Sequence, residues 1–233
     1  MAAKIIVRDR LRRATAEIHE RLHRHAGLAS ASSGSIAAED YAQLLARLYG
    51  FHRAYESVLA QTARLDAIEP DFRPLARSEP LVLDLLGLGV DAAAIARLPI
   101  CAAITRPSNA AELLGCRYVV EGSTLGGQLI GRALEPRFGD DRRFFLAQPG
   151  NAWRALTDRL ETLADDSLAM EAAASAAGAM FVDFERWMDG WRDPAWFAGA
   201  APSVELALSA RSRVFSSQEG AGSRGENTIP QAI

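Results

Sequence analysis

Wherever this chain carries a hydrophobic pattern, apolar residues recur at steps of three and four, and no alternating run of useful length interrupts them. That spacing lines residues along one stripe of an α-helix; a half-buried strand would need a period of two. Leu11, Ala14, Ile18 and Leu22 form the first stripe and predict an amphipathic helix over 8–26, with Gly27 as its stop. The small residues of 29–37 read as a loop. Tyr41, Leu44, Leu45, Leu48, Phe51, Tyr55, Val58 and Leu59 predict a second helix over 38–63. Pro70, Pro74 and Pro80 punctuate the next segment, and short helices are expected near 80–87 and 91–97, separated by Gly87 and Gly89. Asn109 with Glu112 three residues on is an N-terminal capping pattern. It opens a long helix over 110–135 that Pro136 and Gly139 close. Two more helices fit 150–168, around Trp153, Leu156, Leu160 and Leu163, and 170–190, with Met170, Ala173, Ala177, Met180, Phe181, Phe184 and Trp187 turned inward.

The helices are not copies of a fixed unit, so the expectation is one all-α domain over 8–210 rather than a repeat array. With 233 residues, 49% of them hydrophobic, the chain can bury a sizeable core. From 212 to 233 it turns to Ser, Gly, Gln and Glu, which predicts a disordered tail. A net charge of −3 lacks the basic excess of a nucleic-acid binder. The apolar run near the N-terminus, Ile5 to Val7, is too short for a signal peptide. No stretch approaches the roughly 20 apolar residues that span a bilayer. Cys101 and Cys116 stand outside any CxxC pair and read as buried small apolar residues in a reducing setting. These features predict a cytoplasmic protein without nucleic-acid or membrane partners.

Two segments carry candidate chemistry. His19 lies beside the apolar stripe of the first helix, where a neutral imidazole can reach an interior pocket and bind iron, or simply pack. The same turn, His19-Glu20-Arg21-Leu22-His23, spells H-E-x-x-H, in which two imidazoles one turn apart hold zinc and the glutamate activates water. Only three positions of that motif are fixed and no strand precedes it. His52 and downstream carboxylates are candidate third ligands that no spacing singles out. The second segment is Glu121-Gly122-Ser123-Thr124-Leu125-Gly126-Gly127-Gln128. Each glycine inside a helix costs about 1 kcal/mol relative to alanine. Gly122 and Gly126 share a face, so either a neighbouring helix or something flat and large can approach the backbone there. Gly127, Ser123 and Gln128 are less expected of a plain helix crossing.

Together these segments resemble the haem oxygenase family. Ala14-Thr15-Ala16-Glu17-Ile18-His19 is similar to the family's proximal motif A-T-x-x-x-H, whose histidine ligates the haem iron. The resemblance therefore implies that His19 is the iron ligand and Thr15 a haem contact. Gly122 to Gln128 resembles the distal-helix motif, which implies that Gly122, Gly126 and Gly127 lie over the haem face. The Gly-Ser-x-Leu-Gly wording is closest to the bacterial branch, including enzymes that supply bilin to phytochromes. Many animal members carry aspartate where this chain has Ser123, whose hydroxyl can pass one proton but bears no charge. The resemblance covers residues 8–190. It further implies propionate contacts for Arg12 and Arg154, with Arg117 as a further candidate, and pocket-lining roles for Phe181 and Phe184. The implied fold is an all-α, haem oxygenase-like single domain. The implied reaction is oxidative cleavage of haem to biliverdin with release of ferrous iron and carbon monoxide, with Ser123, Gly126 and Gly127 on the catalytic side. Haem is then both substrate and cofactor. Oxygen and an external electron donor such as ferredoxin or a reductase are required, and a phytochrome is a candidate recipient of the product. The alternatives are a haem carrier or sensor without turnover and an H-E-x-x-H zinc protein.

Overall fold

The computed structural model describes residues 6–62, 76–148 and 150–193, and among them every regular element is helical. The elements are α1 (Ile6–His23), α2 (Ala26–Ser32), α3 (Ala38–Gln61), α4 (Ser78–Gly87), α5 (Ala92–Ala96), α6 (Ala110–Phe138), α7 (Arg143–Leu146), α8 (Gly150–Glu161) and α9 (Ser167–Met188). The all-α expectation holds, and the long helices follow the apolar stripes that predicted them. Among the described residues no helix is long and apolar enough to cross a membrane. The expected tail, 212–233, and the end of the expected domain, 194–210, lie outside the described residues.

Capping explains several boundaries. The Asn109 side chain accepts from the Glu112 amide at 3.0 Å, while the Glu112 carboxylate accepts from the Ser108 amide at 2.7 Å. The reciprocal pair satisfies two amides that α6 would otherwise leave open. Asp91 caps α5 and Asp166 caps α9 in the same way. Two caps come from distant elements. Glu56 of α3 accepts from the amides of Arg77 and Ser78, each at 2.8 Å, at the start of α4. The fully buried Asp84 of α4 accepts from the amides of Arg143 and Phe144, each at 2.9 Å, at the start of α7.

Four expectations need correction. Residues 29–32, expected as loop, belong to a helix that begins at Ala26, because Gly27 lies buried under the Trp191 ring and Ala29 and Ala31 favour helix. The chain turns instead at Gly34, with φ +70°, where a Cβ would sit 2.5 Å from the Ala133 carbonyl oxygen. Pro136 does not close α6; it rides in the last turn, and Gly139, with φ +52°, ends the helix. The helix expected over 150–168 stops at Glu161, and 162–165 form a turn.

Two apolar clusters share α3 and α6. One joins Tyr41, Leu44, Leu45, Leu81, Leu85, Leu134 and Phe145 around α3, α4, α6 and α7. The other joins Leu11, Phe51, Cys116, Leu156, Leu160 and Met180 around α1, α3, α6, α8 and α9. Phe184 and Trp187 pack against both. Cys101 and Cys116 are free and buried, and burial pushes the Cys116 thiol up to about 12.

The most extensively packed pair is α6 with α9. Their crossing depends on Gly115, since a Cβ there would overlap the carbonyl oxygen of Ala173. Gly178 of α9 meets nothing within 4 Å of its added Cβ. Gly115→Ala should therefore lower stability by roughly 1–3 kcal/mol through overpacking. Gly178→Ala should raise it by up to about 1 kcal/mol through helix propensity. Thermal unfolding of the two variants checks the pair, and equal shifts would show that the backbones are not in contact at Gly115.

Candidate functional site

Helices α1 and α6 both lie against α9 and α8, yet they hardly touch each other. Near its start, α1 is tied to α8, because the Glu161 carboxylate accepts from the amides of Val7 and Arg8, each at 3.3 Å. Near its end it is tied to α9 by a two-pronged pair, Arg21 donating to the Glu185 carboxylate at 2.7 and 3.0 Å. The first turns of α1 lie near Tyr118 of α6, whose phenol feels the charges of Arg8 and Arg12. Beyond α1, α2 packs on α6 at Ala133. The first helix thus shares α8 and α9 as neighbours with α6 while packing little on α6 itself.

The α1 wall presents Arg12, Ala16, His19 and His23, all exposed. The His19 ring stands 6.0 Å from Phe181 on α9 and 4.4 Å from His23. Burial on its inner side, then the neighbouring His23, lower the His19 pKa, and Glu20 opposes them. His19 is therefore neutral at pH 7, with lone-pair electrons available to a metal.

The α6 wall is apolar and thin. Leu125 is 47% and Leu129 65% exposed, an unusual pair of side chains to leave open on one helix face. Between them an added Cβ on Gly126 meets nothing within 4 Å. Gly122 lies under the Trp153 ring of α8, 3.3 Å from its added Cβ, and Trp153 stands 5.8 Å from Tyr118. Ser123 is exposed and donates to the Val120 carbonyl at 2.7 Å; buried Thr124 donates to that of Glu121 at 2.6 Å. Such back-bonding loosens the helix ladder at this point.

Gly122, Ser123 and Gly126 thus share one stretch of α6, while His19 meets Phe181 on the wall formed by α1. Arg12 lies on the same wall, 3.7 Å from Asp9, and Arg154 is exposed on α8. The remaining candidates sit elsewhere. Thr15 is 3% exposed and donates its hydroxyl to the Leu11 carbonyl at 2.8 Å, facing the core. Gly127 is buried against Phe145 of α7, on the other side of α6. Arg117 is 2% exposed, inside the bundle. Phe184 packs on Phe51, ring centroids 4.9 Å apart. His52, weighed as a third zinc ligand, is buried between Phe51 and Phe144. Among the described residues no group of three or more metal-ligating side chains forms.

Sequence reasoning missed Arg8, Tyr118, Leu125 and Leu129, and took Trp153 for core. Arg8 precedes Arg12 by four residues and Tyr118 precedes Gly122 by four, so helical spacing held that signal.

The family model for heme oxygenase matches residues 7–190. A heme oxygenase of Xanthomonas campestris pv. campestris (strain 8004) is 32% identical over 157 residues, covering 65% of this chain and 90% of that protein.

His52 gives a prediction about pH. Burial, and then the charge of Arg77, hold its pKa well below the ordinary value, so the folded chain keeps the ring neutral. The unfolded chain takes up that proton below about pH 6.5, so the stability contribution is complete above that pH and is lost as pH falls. The slope from this one residue approaches about 1.4 kcal/mol per pH unit. His52→Gln should flatten the acid limb between pH 6 and 4 in denaturant unfolding, and an unchanged limb would show that His52 titrates normally in the fold.

Proposed function

Because the chain belongs to the haem oxygenase family, we propose that the groove between α1 and α6 binds haem as substrate and that the chain opens it to biliverdin, releasing ferrous iron and carbon monoxide. The observation that carries this reading is the bare backbone face at Gly126, beside the exposed Leu125 and Leu129 of α6. A flat apolar ring needs such a face, and an exposed leucine pair without a partner is costly unless a ligand covers it.

When bound, the haem supplies both the ring that is cleaved and the iron that reacts with oxygen. The protein binds, orients and hydrates. His19 would hold the haem iron through a neutral imidazole from the α1 side. Arg12, with Arg8 one turn before it, stands at the Tyr118 end of the groove, where two guanidinium groups suit the two propionates. Phe181 backs the His19 ring and limits its swing. Gly126 and Gly122 keep the α6 wall thin. The Ser123 hydroxyl, already donating to Val120, keeps its oxygen free to accept from an ordered water and so to steady a proton route. Gly127 faces Phe145 from behind, where an added Cβ would meet the ring in ordinary contact. Oxygen and electrons come from outside, the latter from a ferredoxin or a reductase. The serine-bearing distal motif favours a bacterial-type enzyme whose bilin serves a phytochrome.

An absorbance time course of the haem complex with a reductant in air tests the reading: the Soret band should fall as a bilin band grows. Retention of an intact Soret band would point to a carrier. His19→Ala should remove the native ligand spectrum and reduce bilin formation to background; an unchanged spectrum and rate would overturn its assignment. The Gly126 series separates groove from packing. Gly126→Ala should stabilise the haem-free chain by up to about 1 kcal/mol. Gly126→Leu should leave haem-free stability close to wild type and weaken haem binding. Lower stability with unchanged turnover per folded molecule would place Gly126 at a packing seam instead.

A further inference from the structure

Haem binding in the groove uses His19 and leaves His23 without a task. Both side chains are exposed on α1, one turn apart, with ring centroids 4.4 Å apart and planes at 78°. Two imidazoles that ligate one ion in cis positions, with metal–nitrogen bonds of about 2.0–2.1 Å, have ring centroids roughly 4.5 Å apart; a tetrahedral angle opens this to roughly 5 Å. We propose that in the haem-free chain His19 and His23 chelate one divalent transition-metal ion, copper(II) or nickel(II) in preference to zinc, and that this ion and haem exclude each other at His19.

The spacing matches the cis arrangement of tetragonal ions, and copper(II) also stands highest in intrinsic affinity for nitrogen ligands. Exposure leaves the remaining coordination positions to water. Glu20 lies about 100° round the helix from His19, and His52 is buried elsewhere, so a two-histidine chelate forms without the third protein ligand of a zinc hydrolase. This separates the site from the H-E-x-x-H enzyme reading although the letters are the same. The chelate stands on ring geometry alone; the exclusion rests on the proposed role of His19 in the groove.

Copper(II) titration of the haem-free full chain, followed by calorimetry and electron paramagnetic resonance, tests the chelate. One ion should bind per chain with a two-nitrogen signature, and His19→Ala or His23→Ala should each weaken it by about 100-fold, the gain expected from a second tethered ligand. Both positions are exposed, so circular dichroism should show the variants folded, and His23→Gln provides a second non-ligating side chain. Equal copper affinity in wild type, His23→Ala and His23→Gln overturns the chelate. For the exclusion, copper-loaded wild type should take up haem at least tenfold more slowly than the metal-free chain, and His23→Ala should take it up at one rate with or without copper. Copper that engages both histidines yet leaves haem uptake unchanged overturns the exclusion. Failure of the haem reading is seen separately, as a haem spectrum indifferent to His19→Ala in metal-free buffer.

Discussion

The backbone contact of α6 with α9 at Gly115 and Ala173 is the constraint on which the rest of the structure depends. It fixes the longest helix against the last without an intervening side chain. Both apolar clusters then assemble against α6, one along the first half of α3 and the other along its second half. Helix α1 reaches the same floor by other means, with Leu11, Ile18 and Leu22 buried and Arg21 clasping Glu185. Since each wall is fixed to α8 and α9, neither needs the other for support.

The glycines of α6 divide the work by direction. Gly115 admits the backbone of α9, Gly122 admits Trp153, and Gly131 admits Phe145, whose carbonyl oxygen lies 3.0 Å from an added Cβ there. Each exchanges a propensity cost for close packing. Gly126 has no such compensation in the haem-free chain. Gly178 of α9 is open in the same way, and Gly126 differs from it in lying beside the exposed Leu125 and Leu129. On the opposite side, Asp84 supports the arrangement by capping α7, which aims Phe144 at His52 and seats Phe145 under the glycines.

Much of this was legible in the sequence, for identifiable reasons. Long stripes of period 3.6 located α1, α3, α6 and α9, and Asn109 with Glu112 marked the start of α6 within its own residues. Helix α7 was invisible because its cap comes from Asp84, 59 residues away, and four residues carry no period. Helix α2 was hidden by small residues whose helicity is secured by Trp191 from the far end of the domain. In the candidate site, motif order alone brought Thr15, His19, Gly126 and Gly127 forward. It did not resolve their directions: neighbouring residues differ by about 100° round a helix, which carries Gly127 to the α7 side of α6. Tyr118 and Trp153 meet only because α8 docks where it does, a non-local event that spacing within one helix does not encode.

Direction is also what the ion pair on α1 controls. A solvent-screened arginine–carboxylate pair contributes little, so Arg21 and Glu185 add little to stability. Their two parallel bonds do fix an angle, however, because a planar guanidinium meets a carboxylate edge to edge. Arg21 lies two residues from His19 and from His23. The apolar stripe alone tolerates some rolling of α1, since burial of apolar surface is non-directional. A roll of one residue's angle, about 100°, would turn both imidazoles away from the groove. The clasp at Arg21 and the cap from Glu161 at the other end restrain that roll at two points. The aim of His19 therefore rests on polar contacts of small energetic weight, while the stability of the wall that carries it rests on the apolar stripe beneath.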